Sequence, residues 1–248
     1  MILYNELAEH YFAIENHNRN IGKDVEFVRS FIAPGNIASI LDLGCGTGEH
    51  IESFAREGYR CVGIDSSPQM LEAAKKRGGG SVDYRLNTLI DFDFFEEFDI
   101  VMSLFGSMDY ILSDKDFDTV LWNIWRALKP DGVALLEIWN SFPVLQIGEK
   151  NLGFVSKTQS GALTIDRERG FKVIHRDPVI VEVSYRYHLR EGVNMRMLED
   201  KHMMRAFSLD EFEILAAKNG FTIHSMFSNS SREEFKKHSN KILVALKK

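Results

Sequence analysis

Residues 40–50, ILDLGCGTGEH, decide how this chain is read. The apolar run ending at Leu43 reads as a buried strand, and residues Thr47 to Glu57 read as a helix. Gly44, Gly46 and Gly48 then fall in the turn between them. Glycines in such a turn permit a tight bend and let backbone come close to a ligand. The helix start behind them offers free N–H groups and a partial positive charge. A dinucleotide fingerprint needs GxGxxG, but its third glycine position is Glu49 here; a phosphate loop needs GK followed by Ser or Thr, which is absent. The spacing is GxGxG, preceded by Asp42.

Outward from this loop, strand and helix alternate. Tyr59 to Asp65 reads as a second strand, Pro68 to Arg77 as a helix opened by proline and broken at Gly78 to Gly80, and Val82 to Leu86 as a third strand. Phe98 to Ser103, helix Lys115 to Leu128, a KPDG turn (Lys129 to Gly132) and strand Val133 to Trp139 follow. That alternation implies a mostly parallel sheet with right-handed crossovers. Upstream, Leu3 to Ile14 and Lys23 to Ile32 have helical spacing. Downstream, Phe154 to Arg205 is strand-like, with turn signals at Ser160-Gly161, Arg169-Gly170, Asp177-Pro178 and Glu191-Gly192. Ser208 and Glu211 form a capping box for a helix that Gly220 ends, and Phe221 to Phe227 and Lys241 to Leu246 are the last strands.

The chain has 248 residues, of which 44% are hydrophobic and 27% charged, the balance of a soluble globular protein. A net charge of −6 lacks the basic surplus of a duplex binder, so nucleic acid is a disfavoured partner. Cys45 and Cys61 are too few for a disulfide framework, the opening MILYNELAEHYF is unlike a signal peptide, and no apolar run approaches the ~20 residues of a membrane span. A cytoplasmic location is expected, without a membrane partner. HxxxH, HExxH and clustered cysteines are absent, so no metal is expected.

Asp65 ends the second strand, at the edge where open α/β sheets bind ligands, and a carboxylate there can accept from both hydroxyls of a ribose. Its alternative role is to cap the following helix.

DLGCGTG and GIDSSPQML together resemble the first two motifs of the class I S-adenosylmethionine (SAM)-dependent methyltransferases. FDIVMSLFGSMDYI and LKPDGVALLEIW match the fourth- and fifth-strand motifs. The resemblance implies a Rossmann-like α/β fold, a seven-stranded mostly parallel sheet whose last strand is antiparallel, with an antiparallel β insertion after the fifth strand. It divides the chain into a helical lid (1–34), a SAM-binding domain (35–139 and 206–248) and the insertion (140–205). SAM is the implied cofactor and S-adenosylhomocysteine (SAH) the product. Gly44, Cys45 and Gly46 would line the methionine portion, Asp42 would hold its amino group, Asp65 the ribose, and Met70 would pack near the adenine. Ser66, Thr88, Ser103 and Leu104 complete the implied contacts. Where the family often has an acidic residue after the third strand, this chain has Asn87, whose carbonyl can accept the same hydrogen bond; a turn asparagine is the alternative. Tyr11 is the expected cover of the cofactor, or part of the packing between the first helices.

Ser103 to Gly106 lacks the Asn/Asp-Pro-Pro-Tyr/Phe tetrapeptide of exocyclic-amine methyltransferases acting on nucleobases or glutamine. LFGSMDYI looks more like small-molecule N-methyltransferases such as those that dimethylate amino sugars. The implied reaction moves a methyl group to a small molecule, nitrogen before oxygen, on a monomer or homodimer. A protein or RNA methyltransferase and a non-catalytic SAM binder are the alternatives. Candidate bases are His188, His202, Tyr110 and Glu137, and candidate acceptor contacts are Trp139, Tyr187 and Arg205. Ordinary packing, for Trp139, and a solvated sheet face, for the insertion residues, are the competing readings.

Overall fold

A computed structural model describes residues 1–17, 19–79 and 81–248. The alternating pattern forms a layered α/β unit. Helices α1 (Tyr11–Glu15) and α2 (Ile21–Arg29) precede β1 (Ser39–Leu43), α3 (Glu49–Arg56), β2 (Arg60–Asp65), α4 (Pro68–Arg77), β3 (Val82–Leu86), β4 (Phe98–Ser103), α5 (Asp114–Ala127) and β5 (Leu128–Trp139). After α6 (Ser141–Ile147) come four long strands, β6 (Glu149–Ser160), β7 (Leu163–Arg176), β8 (Val179–Glu191) and β9 (Asn194–Ala206). Helix α7 (Leu209–Lys218), β10 (Thr222–Phe227) and β11 (Lys241–Lys247) complete the chain.

The first sheet has seven strands in the order β10-β11-β5-β4-β1-β2-β3. Strands β1 to β5 pair in parallel, while β11 runs antiparallel to both β5 and β10. This is the Rossmann-like methyltransferase architecture that the motifs imply. The chain leaves one edge at β3 and re-enters beside β1 as β4, so a crevice opens where β1 and β4 part, at their carboxyl ends. Both faces are covered. Phe117, Val120 and Leu121 of α5 and Phe212 of α7 pack on one face; Val28 of α2 and Ile51 and Phe54 of α3 pack on the other. Every residue of β1 is buried, which is why Ile40, Leu41 and Leu43 do not alternate with exposed polar residues.

Strands β6 to β9 form a separate antiparallel sheet in sequential order. It leaves and rejoins the first sheet at one place: Phe207 N–H donates to Trp139 O at 2.8 Å, and Ser141 N–H donates to Phe207 O at 2.9 Å. Leu3, Leu7, Tyr11 and Ile14 fill the space between this sheet, through Ile165, Tyr187 and Leu189, and Met70 of α4.

Several local expectations are corrected. The helix expected over Leu3–Ile14 is reduced to a short 3-10 turn at Ala8–His10 and the five residues of α1. Its apolar spacing is real, but neither start has a side-chain cap, and Leu3 N–H is drawn to Asp200 of β9 instead. KPDG lies inside β5, with Asp131 at φ +66° where the register against β4 shifts. Arg169-Gly170 makes no turn: it continues β7 opposite the register shift of β6, where a Cβ on Gly170 would meet Lys150 O at 2.6 Å. Helix α6, capped by Asn140, had no counterpart in the sequence reading. Helix α4 ends at Arg77 as expected, whereas Gly80 lies outside the described residues. Among the described residues, no helix is long and apolar enough to cross a membrane.

Candidate active site

The glycine loop closes on the end of β2. Gly44 and Cys45 N–H donate to Ile64 O at 2.8 and 2.9 Å, and Gly46 N–H donates to Asp65 Oδ2 at 2.9 Å. Gly44 has φ +75°, and a Cβ there would lie 2.3 Å from Ser107 Oγ. The backbone path therefore requires glycine at this position. Asp65 Oδ1 accepts from Ser67 N–H at 2.8 Å, but the cap of α4 is Ser67, whose Oγ accepts from Met70 N–H at 3.2 Å. The helix does not need Asp65 as its cap. Burial pushes the Asp65 carboxyl upward despite its backbone donors.

Asp42 is the sharper case. It is 4% exposed, and its carboxyl group receives no hydrogen bond from any described residue. Burial, with Asp65 and Glu49 nearby, pushes its carboxyl up to about 7 against the pull of His50 and Arg19. A buried carboxylate facing a cavity is stabilised by a cation arriving in that cavity.

The cavity holds about 390 Å³. Asp42, Gly44, Cys45 and Gly46 line it together with Asp65, Ser66 and Met70, with Asn87, Thr88 and Leu104, and with Tyr11. Asn87 Oδ1 already accepts from Thr88 N–H at 2.8 Å and keeps a second lone pair. Ser103 is absent from this wall: it is fully buried and donates to Leu43 O at 3.0 Å, tying β4 to β1.

A second cavity of about 580 Å³ adjoins the first, and Tyr4, Tyr11, Arg19, Phe105 and Tyr110 line both. Asp109, Glu137 and Trp139 line it from the side of the first sheet, and Phe171 and Tyr185 line it from the second sheet. Trp139 and Phe171 meet edge to face at 6.2 Å. Trp139 N–H donates to Asp109 Oδ1 at 2.9 Å, and burial pushes the Asp109 carboxyl well up. Lys241 Nζ lies 2.8 Å from Glu137 Oε1.

The remaining sequence candidates separate. Tyr110 lines both cavities, and His202 is buried directly behind it, with Nδ1 2.6 Å from the Tyr110 hydroxyl. His188 sits on the outer sheet face beside Glu168, its side chain 46% exposed. Tyr187 is fully buried in the packing under the N-terminal segment, so its neighbour on that face, Tyr185, reaches the second cavity in its place. Arg205 is fully buried away from both cavities, bonded to Asp114, Glu211 and Leu112 O. Sequence reasoning missed Arg19, which bonds the Tyr11 hydroxyl and stacks 3.8 Å from the Phe105 ring centroid while its buried Nε has no partner among the described residues. It follows α1 in irregular chain, where no periodicity marks it. Asp200, behind His202, carried a readable signal: i and i+2 on a strand share a face. Among the described residues, no group of three His, Cys, Asp or Glu side chains is placed to hold a metal ion.

Residues 40–132 match the model of a methyltransferase domain. The dTDP-4-amino-2,3,4,6-tetradeoxy-D-glucose N,N-dimethyltransferase of Saccharopolyspora spinosa is 30% identical over 194 residues, 77% of this chain and 73% of that protein. The crystal structure of a SAM-dependent methyltransferase from Clostridium acetobutylicum superimposes with TM-score 0.82 at 18% identity, covering 98% of each chain. A SAM-bound amino pentose methyltransferase from Micromonospora echinaspora gives 0.72 at 20% identity, covering 95% of each. With its glycine loop, its acidic strand end and its sheet order, this chain belongs to the class I SAM-dependent methyltransferases.

Proposed function

We propose that this enzyme methylates the nitrogen of a small amine, with SAM in the first cavity and the acceptor in the second. The observation that carries this reading is the shared wall: two adjoining cavities of small-molecule size meet at Tyr4, Tyr11, Arg19, Phe105 and Tyr110. An insertion that plugged the second cavity would have favoured a binder without chemistry. The chamber also offers an amine the ring faces of Trp139, Phe171 and Tyr185. The relative from Saccharopolyspora spinosa, named for an amino sugar, supports the same acceptor class.

Bound SAM supplies a sulfonium methyl group, which passes in line to a lone pair. The protein's part is to hold and orient. Asp65 takes the ribose hydroxyls, Asp42 the ammonium of the methionine portion, and the unpaired side of Arg19 its carboxylate. The backbone of Gly44 to Gly46 sets the depth of the methionine portion, and Met70, Asn87 and Leu104 frame the adenine. The segment 1–34 acts as a lid through Tyr4 and Tyr11. Positioning of this kind can supply several kcal/mol, up to ~10 kcal/mol.

Calorimetric titration with SAM and SAH, beside Asp65→Ala, tests the cofactor half. Losing charge-assisted hydrogen bonds costs ~1.5–3 kcal/mol, so the variant binds roughly ten- to a hundredfold more weakly. No heat with either ligand in the parent protein would sink the reading. A screen of amino-sugar nucleotides and simple amines for SAH release tests the acceptor half.

A further inference from the structure

At the wall shared by the two cavities, the hydroxyls of Tyr4 and Tyr110 are 2.7 Å apart. Behind Tyr110, His202 Nδ1 lies 2.6 Å from its hydroxyl, and His202 Nε2 lies 3.0 Å from Asp200 Oδ2. Asp200 Oδ2 also accepts from Leu3 N–H at 3.1 Å. Four side chains from three separate parts of the chain thus form one hydrogen-bonded row, leading from the cavity wall into the protein.

The direction of the row follows from its far end. Burial opposes ionisation of Asp200, but the hydrogen bonds from His202 and the Leu3 amide hold its carboxyl below the usual range. A carboxylate only accepts, so His202 Nε2 carries a hydrogen. Burial keeps the imidazole below its ordinary range, against the pull of Asp200, so the ring is neutral at pH 7 and Nδ1 is a bare lone pair. The Tyr110 hydroxyl then donates to Nδ1, and its oxygen lone pairs accept from Tyr4 and from whatever occupies the cavity. Every bond in the row points the way a proton would travel inward.

We propose that this row is the proton exit for the acceptor: the Tyr110 oxygen takes a proton from an acceptor ammonium while its own proton passes to Nδ1 of His202. The idea rests on the amine reading above. One N–H bond of the ammonium and the phenolic O–H bond break; a new O–H bond forms on Tyr110 and a new N–H bond on His202. The amine is left neutral with its lone pair free, and Tyr110 ends as it began. The imidazolium formed is stabilised by the Asp200 carboxylate, and its proton returns to solvent along the same path once the product has left. Tyr110 is the catalytic residue; His202 and Asp200 act through it. Burial holds the Tyr110 hydroxyl well above its ordinary range, so tyrosine relays the proton without resting as tyrosinate.

The groups facing His202 are few. Asp200 shares its strand, Tyr185 packs from β8 at 5.0 Å, and Tyr4 packs from the N-terminal segment at 5.4 Å. Tyr110 approaches from the turn after β4, and the N-terminal amino group and Glu15 of α1 act at longer range with opposite signs.

Nitrogen and carbon NMR of labelled histidine, on the whole chain between pH 5 and 9, free and with SAH, tests this without an acceptor. The expected spectrum has His202 neutral at pH 7 as the Nε2–H tautomer. Tyr110→Phe shifts the Nδ1 resonance, and Asp200→Asn lowers the midpoint by about one pH unit or more and erases the tautomer preference. An Nδ1–H tautomer, or an imidazolium persisting at pH 7, overturns the proposal, because Tyr110 would then have nothing to donate to. SAH calorimetry on the same samples keeps the two readings apart: absent SAH binding defeats the cofactor assignment, while the free-protein spectrum still decides the relay. With an acceptor from the amine screen, His202→Asn keeps a partner for Tyr110 but takes no proton. It should lose about a hundredfold in turnover and the acidic limb of the pH profile, with the KM for SAM unchanged.

Discussion

The two cavities are built differently. The first is founded on the backbone of the glycine loop, with Gly44 and Gly46 and the carboxyl ends of β1 and β2 in its lining and the carboxylates of Asp42 and Asp65 beside them. The second is made of side chains brought together from the N-terminal segment, the turn after β4, the end of β5 and the second sheet. A backbone site can be lost through one methyl group, whereas a side-chain site tolerates small changes and can be retuned one residue at a time.

Gly44→Ala against Gly161→Ala should show the largest contrast. Both glycines have positive φ, +75° and +60°, so each alanine carries left-handed strain of about 1–2 kcal/mol. At Gly44 the added Cβ also meets Ser107 Oγ at 2.3 Å and Cβ at 2.6 Å, whereas at Gly161, in the β6–β7 turn, nothing among the described residues lies within 4 Å. SAM affinity by calorimetry should fall at least a hundredfold for the first and stay within twofold for the second. Equal losses would erase the distinction.

Arg205 sharpens the boundary of the second cavity. Its guanidinium is fully buried, but Asp114 and Glu211 are 67% and 28% exposed and can return to water. Arg205→Met should therefore cost about 2 kcal/mol, under the ~3–5 kcal/mol of a pair buried on both sides. Melting should fall by roughly 4–8 °C, with SAM affinity and acceptor KM unchanged. A rise in acceptor KM without a change in melting would return Arg205 to the acceptor site.

The smallest effect concerns Asp42, a buried acidic group that lines the first cavity. With its carboxyl near 7 in the free protein, binding an ammonium below that pH first requires a proton to leave. SAM should therefore bind roughly five- to tenfold more weakly at pH 6 than at pH 7.5, and Asp42→Asn should flatten that dependence. A parent protein with no pH dependence would mean that Asp42 meets no cation.

What could be read from the sequence divides along the same line. Helix α4 and strands β3 and β4 have the bounds their residues predict, α4 because Ser67, Pro68 and Gly78 mark its ends and β4 because a strand covered on both faces leaves a nearly unbroken apolar run. The residues around Asp42 and Asp65 line one cavity because a short motif fixed by backbone geometry is local in sequence. The second cavity is non-local. Tyr185 rather than Tyr187 reaches it, although both share a face and their rings stack at 6.0 Å, because strand length and twist decide which of two like residues meets the opening. Gly170 reads as a turn signal yet marks a bulge, since glycine serves either need. The N-terminal segment follows its contacts with Met70 and β9 rather than its helical spacing.

The neck where Ser141 and Trp139 bond to Phe207 has an evolutionary consequence. A segment that departs and returns at one point can be lengthened, shortened or exchanged without disturbing the element that hosts it. The second sheet is in that sense a cassette. A lineage can keep the glycine loop and the strand ends around it and recast the part of the second cavity that Phe171, Tyr185 and Met204 supply by replacing what lies between these two hydrogen bonds, as long as the new sheet still fits the N-terminal segment.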